Sequence, residues 1–242
     1  MSEHQHSQSH VVEPIGFIES PYTEKFAVPR QPGLVPAATA RIVLHGDYAN
    51  PDCVRGLTEF SHIWVLFLFH QTTAQGWKPL VRPPRLGGNE KRGVFATRST
   101  FRPNNLGMSV VKVIGITYRD KQTIIEVQSA DWVNHTPVID IKPYVPYADA
   151  IPEAVGGFAP SAPEQSLATT FSADAQQQLQ QLNQQYPELQ ALISQVLAQD
   201  PRPAYQQNDT AEREYGMTLY DVNIRWQVKN QQNHVISISK GF

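Results

Sequence analysis

Between Lys78 and Arg102 the chain carries seven basic residues and a single acidic one, Glu90. These 25 residues hold a charge of +6, which leaves −8 for the rest of a chain whose formal net charge is −2. Cations gathered in this way are the electrostatic footprint of an anion: a phosphate backbone, a nucleotide or a carboxylate. The same segment contains PPRLGG, whose prolines stiffen the loop and whose glycines let an anion approach the backbone. It runs into ATRSTFRPNNLGMSVV (96–111), where Pro103, Asn104, Asn105 and Gly107 supply what a turn requires. Arg98 and Arg102 are not needed for turning and are candidates for holding an anion.

Three further stretches carry polar chemistry. In PVIDIKPYVPY (137–147), Asp140 and Lys142 are two residues apart and share one face of a strand, and Pro143 stops the ladder. With Tyr144 they place a carboxylate, an amine and a phenol at a strand end, although an ordinary surface ion pair gives the same D-x-K pattern. PYTEKFAVPRQPGL (21–34) has no secondary-structure pattern and sets Arg30 between two prolines. Such a loop loses entropy on ordering unless a ligand holds it. In FHQT (69–72), His70 and Gln71 close an apolar strand; a lone histidine there is more often structural than catalytic. No P-loop, dinucleotide fingerprint, nucleophile elbow or metal-ligand spacing is present, so no metal is expected.

The elements that must position these groups are mainly strands. GFIES (16–20), ATARIVLH (38–45), HIWVLFLF (62–69), RGVFAT (92–97), GMSVVKVIGITYR (107–119), QTIIEVQS (122–129) and PVIDI (137–141) are rich in β-branched and aromatic residues, with turn clusters between them. Many strands without intervening helices predict an antiparallel barrel, which also removes edge strands. The unbroken apolar run 63–69 reads as a strand buried on both faces, with a second copy of the chain as one candidate for the outer cover.

Residues 1–13 read as a disordered tail, 14–147 as the barrel, 148–166 as a proline- and alanine-rich linker, and 167–242 as a small C-terminal α+β domain. In that domain Ser172 is a good N-cap, and Leu179, Leu182 and Tyr186 follow at helical spacing. Pro187 is placed to start a second helix that ends before Pro201. GMTLYDVNIRWQVKNQQNHVISISK predicts two strands around KNQQN. Arg202 and Tyr205, in DPRPAY, suit an exposed RNA surface, which makes this domain a candidate separable tRNA-contacting module.

Composition bounds the rest. Apolar residues make up 40% of the 242 and charged residues 17%, as in globular chains. The lone cysteine, Cys53, excludes an intramolecular disulfide and fits a reducing cytosol. The longest apolar run, 63–69, is far short of the roughly 20 residues that span a bilayer. No signal-peptide core is visible at the N-terminus, so a cytoplasmic protein is expected.

Taken together, SPYTEKFAVPRQPGL, FSHIWVLFLFHQT, RPPRLGGN…GVFATRSTFRPNNLGMS and DIKPYVPYAD resemble the tRNA N6-threonylcarbamoyladenosine-37 N6-methyltransferases, and QVLAQDPRPAYQ resembles their bacterial C-terminal domain. The family usually reads R-P-N-P/A-I-G where this chain has Asn105 and Leu106. The resemblance implies S-adenosylmethionine as cofactor, tRNA as substrate and a homodimer whose partner contributes to the site. By motif, the implied cofactor contacts are Pro29, Arg30, Gln31, His70, Gln71, Arg98, Met108, Asp140, Ile141, Lys142 and Pro143. Arg92 and Arg102 are implied on the substrate side, where Arg202 and Tyr205 are also expected. The candidate catalytic groups are His70, Asp140 and Tyr144 for removing the N6 proton, and Lys142 for stabilising a developing anion. Two other classes fit the residues alone: a non-catalytic RNA-binding barrel, and a small-molecule methyltransferase on the same scaffold.

Overall fold

Residues 10–87, 89–163, 167–202 and 213–241 are described by a computed structural model. Much of the expected tail, together with Tyr205, lies outside them. Six strands close a barrel in the order β1 (Gly16–Glu19), β2 (Thr39–Leu44), β7 (Gln122–Gln128), β6 (Leu106–Arg119), β3 (His62–Leu68) and β8 (Thr136–Pro143). Every pairing is antiparallel, and β1 against β8 completes the ring, with Gly16 opposite Val138. The β-branched and aromatic runs therefore form the mainly β fold that their composition predicts. Ile18, Ile42, Ile63, Val65, Phe67, Val111, Ile125, Val127 and Trp132 are fully or almost fully buried, and Phe67 meets Trp132 edge to face at 5.9 Å. The interior is packed with side chains, so chemistry has to sit at the rim or outside.

The run 63–69 is not buried on both faces. Ile63, Val65 and Phe67 point inward, whereas His62, Trp64, Leu66 and Leu68 lie half-buried on the outer face. An apolar residue at every position conceals a normal alternation, because the outer face is itself apolar. RGVFAT is also not a barrel strand. Only β5 (Arg92–Gly93) pairs, with β4 (Leu80–Val81), and Val94–Ala96 then forms a 3-10 turn.

After the short helix α1 (Pro146–Asp149), a second sheet runs β10 (Glu214–Leu219), β11 (Val222–Lys229), β12 (Gln232–Lys240) and β9 (Ala168–Phe171). It carries helices α2 (Ala173–Leu182) and α3 (Leu189–Ala198). Ser172 caps α2 by accepting from the Ala175 amide at 3.1 Å. Pro187 does not begin α3, which starts two residues later at Leu189. The predicted pair of C-terminal strands is three, because Tyr220 (φ 56°) and Asp221 form a turn inside an apolar run. Strand β9, only four residues long, pairs in parallel with β12.

This second unit is welded to the barrel. Tyr22 is completely buried and bridges both Val133 and Leu219. The Tyr220 amide donates to the Pro21 carbonyl (2.7 Å), the Thr218 amide to Glu24 Oε1 (2.9 Å) and the Ala37 amide to Gln195 Oε1 (2.8 Å). Buried residues of both units form one contiguous cluster. An apolar core shared in this way does not divide into modules without exposing its own interior.

Candidate active site

A cleft of about 1570 Å³ opens at the barrel rim, between the loop 21–38, the basic segment and the end of α3. Among the described residues, eight cations line it (Lys25, Arg30, Lys78, Arg82, Arg85, Lys91, Arg98 and Arg102) against two carboxylates, Asp131 and Asp200. Clustering that was visible along the sequence thus becomes an electropositive concavity, in which low-dielectric walls strengthen the field.

The loops are held by specific bonds. Arg98 Nη1 donates to Gln31 Oε1 at 2.6 Å and so ties the basic segment to the loop 21–34. Arg102 Nη1 donates to the Thr97 and Ser99 carbonyls, at 3.0 and 3.3 Å, and braces its own turn. The Asn105 carbonyl accepts from the Phe69 amide at 2.8 Å, joining the turn to the end of β3. Asn104 and Asn105 have φ of 63° and 51°. Asparagine tolerates this left-handed region, and proline, fixed near −65°, cannot enter it. Asn105 therefore suits the local backbone here, where proline would not. Gly107 is required by contact: a Cβ there would stand 2.4 Å from the Phe67 ring.

His70 and Gln71 follow β3 directly into the cleft. Partial burial lowers the His70 pKa, and His135 adds to this, against a backbone hydrogen bond at Leu68 that raises it. The imidazole is neutral at neutral pH and able to accept a proton. Arg30 is exposed, yet the surrounding protein lowers its pKa, opposed by the nearby Asp200 charge. Pro29 and Gln31 also face the cleft.

Sequence reasoning missed Asp131. Its Oδ2 accepts from the Ser109 hydroxyl at 3.1 Å, while Oδ1 is buried without a hydrogen-bond partner among the described residues. Burial pushes this carboxyl up to about 7, with the Ser109 bond and the Arg98 charge acting in the other direction. Nothing in SADW marked it, because its environment comes from β6 and from the Arg98 loop, both distant in sequence.

The expected site residues separate into two groups. Pro29, Arg30, Gln31, His70, Gln71, Arg98, Arg102 and Met108 line the cleft. Asp140, Ile141, Lys142, Pro143 and Tyr144 do not. A bulge at Ile139 shifts the register of β8 against β3, so Asp140 pairs with Leu66 and Lys142 with Trp64 on the outer face. Met108 also pairs with Leu66, so Met108, Leu66 and Asp140 form one cross-strand row. Lys142 Nζ lies 3.0 Å from Asp140 Oδ2, and the Tyr144 ring packs on Trp64 and His62. The four candidate catalytic groups therefore do not converge within one chain: His70 is at the rim and the other three are outside. Arg92 is paired with Glu90 at 2.6 Å. Arg202 is not an open RNA contact. Its side chain is 5% exposed and holds Asp200 through Nε at 2.7 Å and Nη2 at 2.9 Å.

The N-terminal domain model of the tRNA-methyltransferase O (TrmO) family matches residues 17–150, and the family's C-terminal domain model matches 164–241. The chain belongs to this family. It is 50% identical to the tRNA (adenine(37)-N6)-methyltransferase of Escherichia coli over 93% of this chain and 96% of that protein. It is 46% identical to a putative S-adenosylmethionine-dependent methyltransferase of Pseudomonas aeruginosa over 90% and 92% of the two chains. The crystal structure of TrmO from P. aeruginosa superposes with a TM-score of 0.80 at 38% identity, covering 96% of this chain and 99% of that one.

Proposed function

We infer that the protein is an enzyme that transfers a methyl group from S-adenosylmethionine to N6 of the adenosine at position 37 of tRNA. The observation that carries this is similarity along almost the whole chain, through both domain models, to a protein named for that reaction. Neither the RNA-binding nor the small-molecule alternative predicts it.

The residues present fit the cofactor. An amino-acid tail with a carboxylate needs a cation at the cleft, and Arg98 and Arg30, both lining it, offer one. When bound, S-adenosylmethionine supplies an electrophilic sulfonium methyl. The chain's own task is then chiefly positioning. Arg98 and Arg30 orient, and the loop bond from Arg98 to Gln31 keeps the arginine in place. We further propose that the substrate is threonylcarbamoyladenosine, whose N6 lone pair is delocalised into a urea, so loss of the N6 proton needs a base. Neutral His70 is the proposed acceptor, because among His70, Asp140 and Tyr144 it alone faces the cleft.

We propose that the working unit is a cytoplasmic homodimer. The row of Met108, Leu66 and Asp140 runs outward from the cleft on a half-apolar face, where Met108 is 54% exposed. A second copy laid on that face would bring Asp140, Ile141, Lys142 and Pro143 into a shared site. The test is mass analysis of nucleosides from tRNA incubated with the protein and S-adenosylmethionine. A methyl added to threonylcarbamoyladenosine is the expected product, and an unchanged nucleoside pool would overturn the assignment.

A further inference from the structure

The basic segment keeps one aromatic ring in solvent at the cleft mouth. Phe95 is 79% exposed, and of the exposed aromatics among the described residues it alone lines the cleft. Leaving a phenylalanine in water forgoes roughly 1.5–3 kcal/mol of burial. The surrounding backbone is nevertheless pinned. Val94 beside it is buried, and its amide donates to the Pro79 carbonyl at 3.0 Å. Thr97 returns both its amide (3.2 Å) and its hydroxyl (2.9 Å) to the Val94 carbonyl, and Arg102 holds the Thr97 carbonyl. The 3-10 turn is thus a fixed mount that displays the ring.

The neighbours define what the ring faces. Arg82, Arg85 and Lys91 line the same cleft, and no carboxylate of the basic segment does so among the described residues. An apolar protein partner would have no use for this ring of cations. A nucleic acid has phosphates for the cations and, once a base is unstacked, a π-face for the ring. Base stacking needs an exposed aromatic on a rigid support, and Phe95 is one.

We propose that Phe95 is the platform on which the target adenine stacks after leaving the anticodon loop, with the flanking cations holding the adjacent phosphates. The proposal rests on the methyl-transfer reading for the identity of the base. It is independent of that reading for the presence of an RNA-stacking ring.

The test compares Phe95→Ala, Phe95→Leu, Phe95→Tyr and Phe95→Trp in the full chain. Removing one base–aromatic stack should lower kcat/KM for tRNA roughly 5- to 150-fold in the Ala variant. Tyr and Trp should remain within about threefold of wild type, whereas Leu, apolar but without a π-face, should behave like Ala. S-adenosylmethionine affinity by calorimetry should stay within about twofold throughout. If the wild type methylates no tRNA, the methyl-transfer reading fails; affinity for an anticodon stem-loop RNA then has to show the same order of variants. An Ala variant equal to wild type in both assays overturns the proposal. So does rescue by Leu as complete as by Trp, or a change in sedimentation, which would place the ring in a contact between copies.

Discussion

Asp131→Asn separates the cost of a buried charge from the cost of a lost side chain. The Asp131 carboxyl is raised from an ordinary 3.8 to about 7 in the folded protein, foremost by burial. Between those values the folded state holds a proton that the unfolded chain releases, so the folded state binds more protons. The sign follows: stability contributed by this group is greatest below about pH 4 and falls as pH rises, levelling off above about 7. At 1.36 kcal/mol for each pH unit, the loss across the window is about 4 kcal/mol. The groups that bear on the carboxyl are few. Ser109 donates to Oδ2, Arg98 adds a positive charge, and the Tyr22 phenol, itself raised by burial, remains neutral. Asparagine retains an oxygen for the Ser109 hydroxyl but cannot ionise. Its amide also lacks an evident acceptor, a cost of about 1–3 kcal/mol that does not vary with pH. Denaturant unfolding without ligand, from pH 4 to pH 8, should show the variant less stable than wild type at the acid end and gaining on it by about 4 kcal/mol toward the basic end. A difference between the two that is flat across this range would refute a buried, displaced Asp131 carboxyl.

Arg98→Ala should weaken S-adenosylmethionine binding by about 1.5–3 kcal/mol, the worth of a charge-assisted hydrogen bond, as read by calorimetry. Leu66→Glu, in the centre of the Met108–Leu66–Asp140 row, should leave a folded monomer of 27.2 kDa in sedimentation with little activity, and an active monomer would end the dimer proposal. Gly107→Ala should cost about 1–3 kcal/mol in thermal or denaturant unfolding, because the new methyl would meet the Phe67 and Phe69 rings at 2.4 and 2.8 Å. Removing residues 161–242 should yield an aggregating or unfolded barrel rather than a cofactor-binding module, since Tyr22 and Leu219 share one core; a soluble fragment with native cofactor affinity would contradict this.

Legibility in the sequence followed the range of the forces. The barrel strands were readable because each carries its own pattern of β-branched and aromatic residues, and the helix start at Ser172 because its cap lies within the same turn. The cation cluster was readable because 25 consecutive residues hold it. What escaped depends on contacts between distant segments. Asp131 acquires its unusual carboxyl only when β6 and the Arg98 loop close over it. Arg202 in DPRPAY reads as an RNA contact, yet its side chain is buried and paired with Asp200. The face of Asp140 depends on one extra residue in β8, which no alternation rule reveals.

That bulge keeps two charged side chains out of a filled barrel. Val138 points into the core, and an unbroken strand would send Asp140 inward with it. An aspartate there would displace apolar packing and be driven to its neutral form. By taking up Ile139 as an extra residue, β8 delivers Asp140 and Lys142 to the outer face, level with Leu66 and Trp64, while Ile141 remains opposite inward-facing Val65. Strand β3 then serves both sides at once. Its inward residues Ile63, Val65 and Phe67 fix the barrel, its outward residues carry the row that reaches Met108 at the cleft, and its end presents His70. Because one strand sets the positions of rim and outer face together, the two groups of expected site residues are rigidly related even though they do not meet within a chain. The proposed homodimer would use this rigidity: a second copy docked on the outer face would meet Asp140 and Lys142 at a fixed distance from the rim that presents His70.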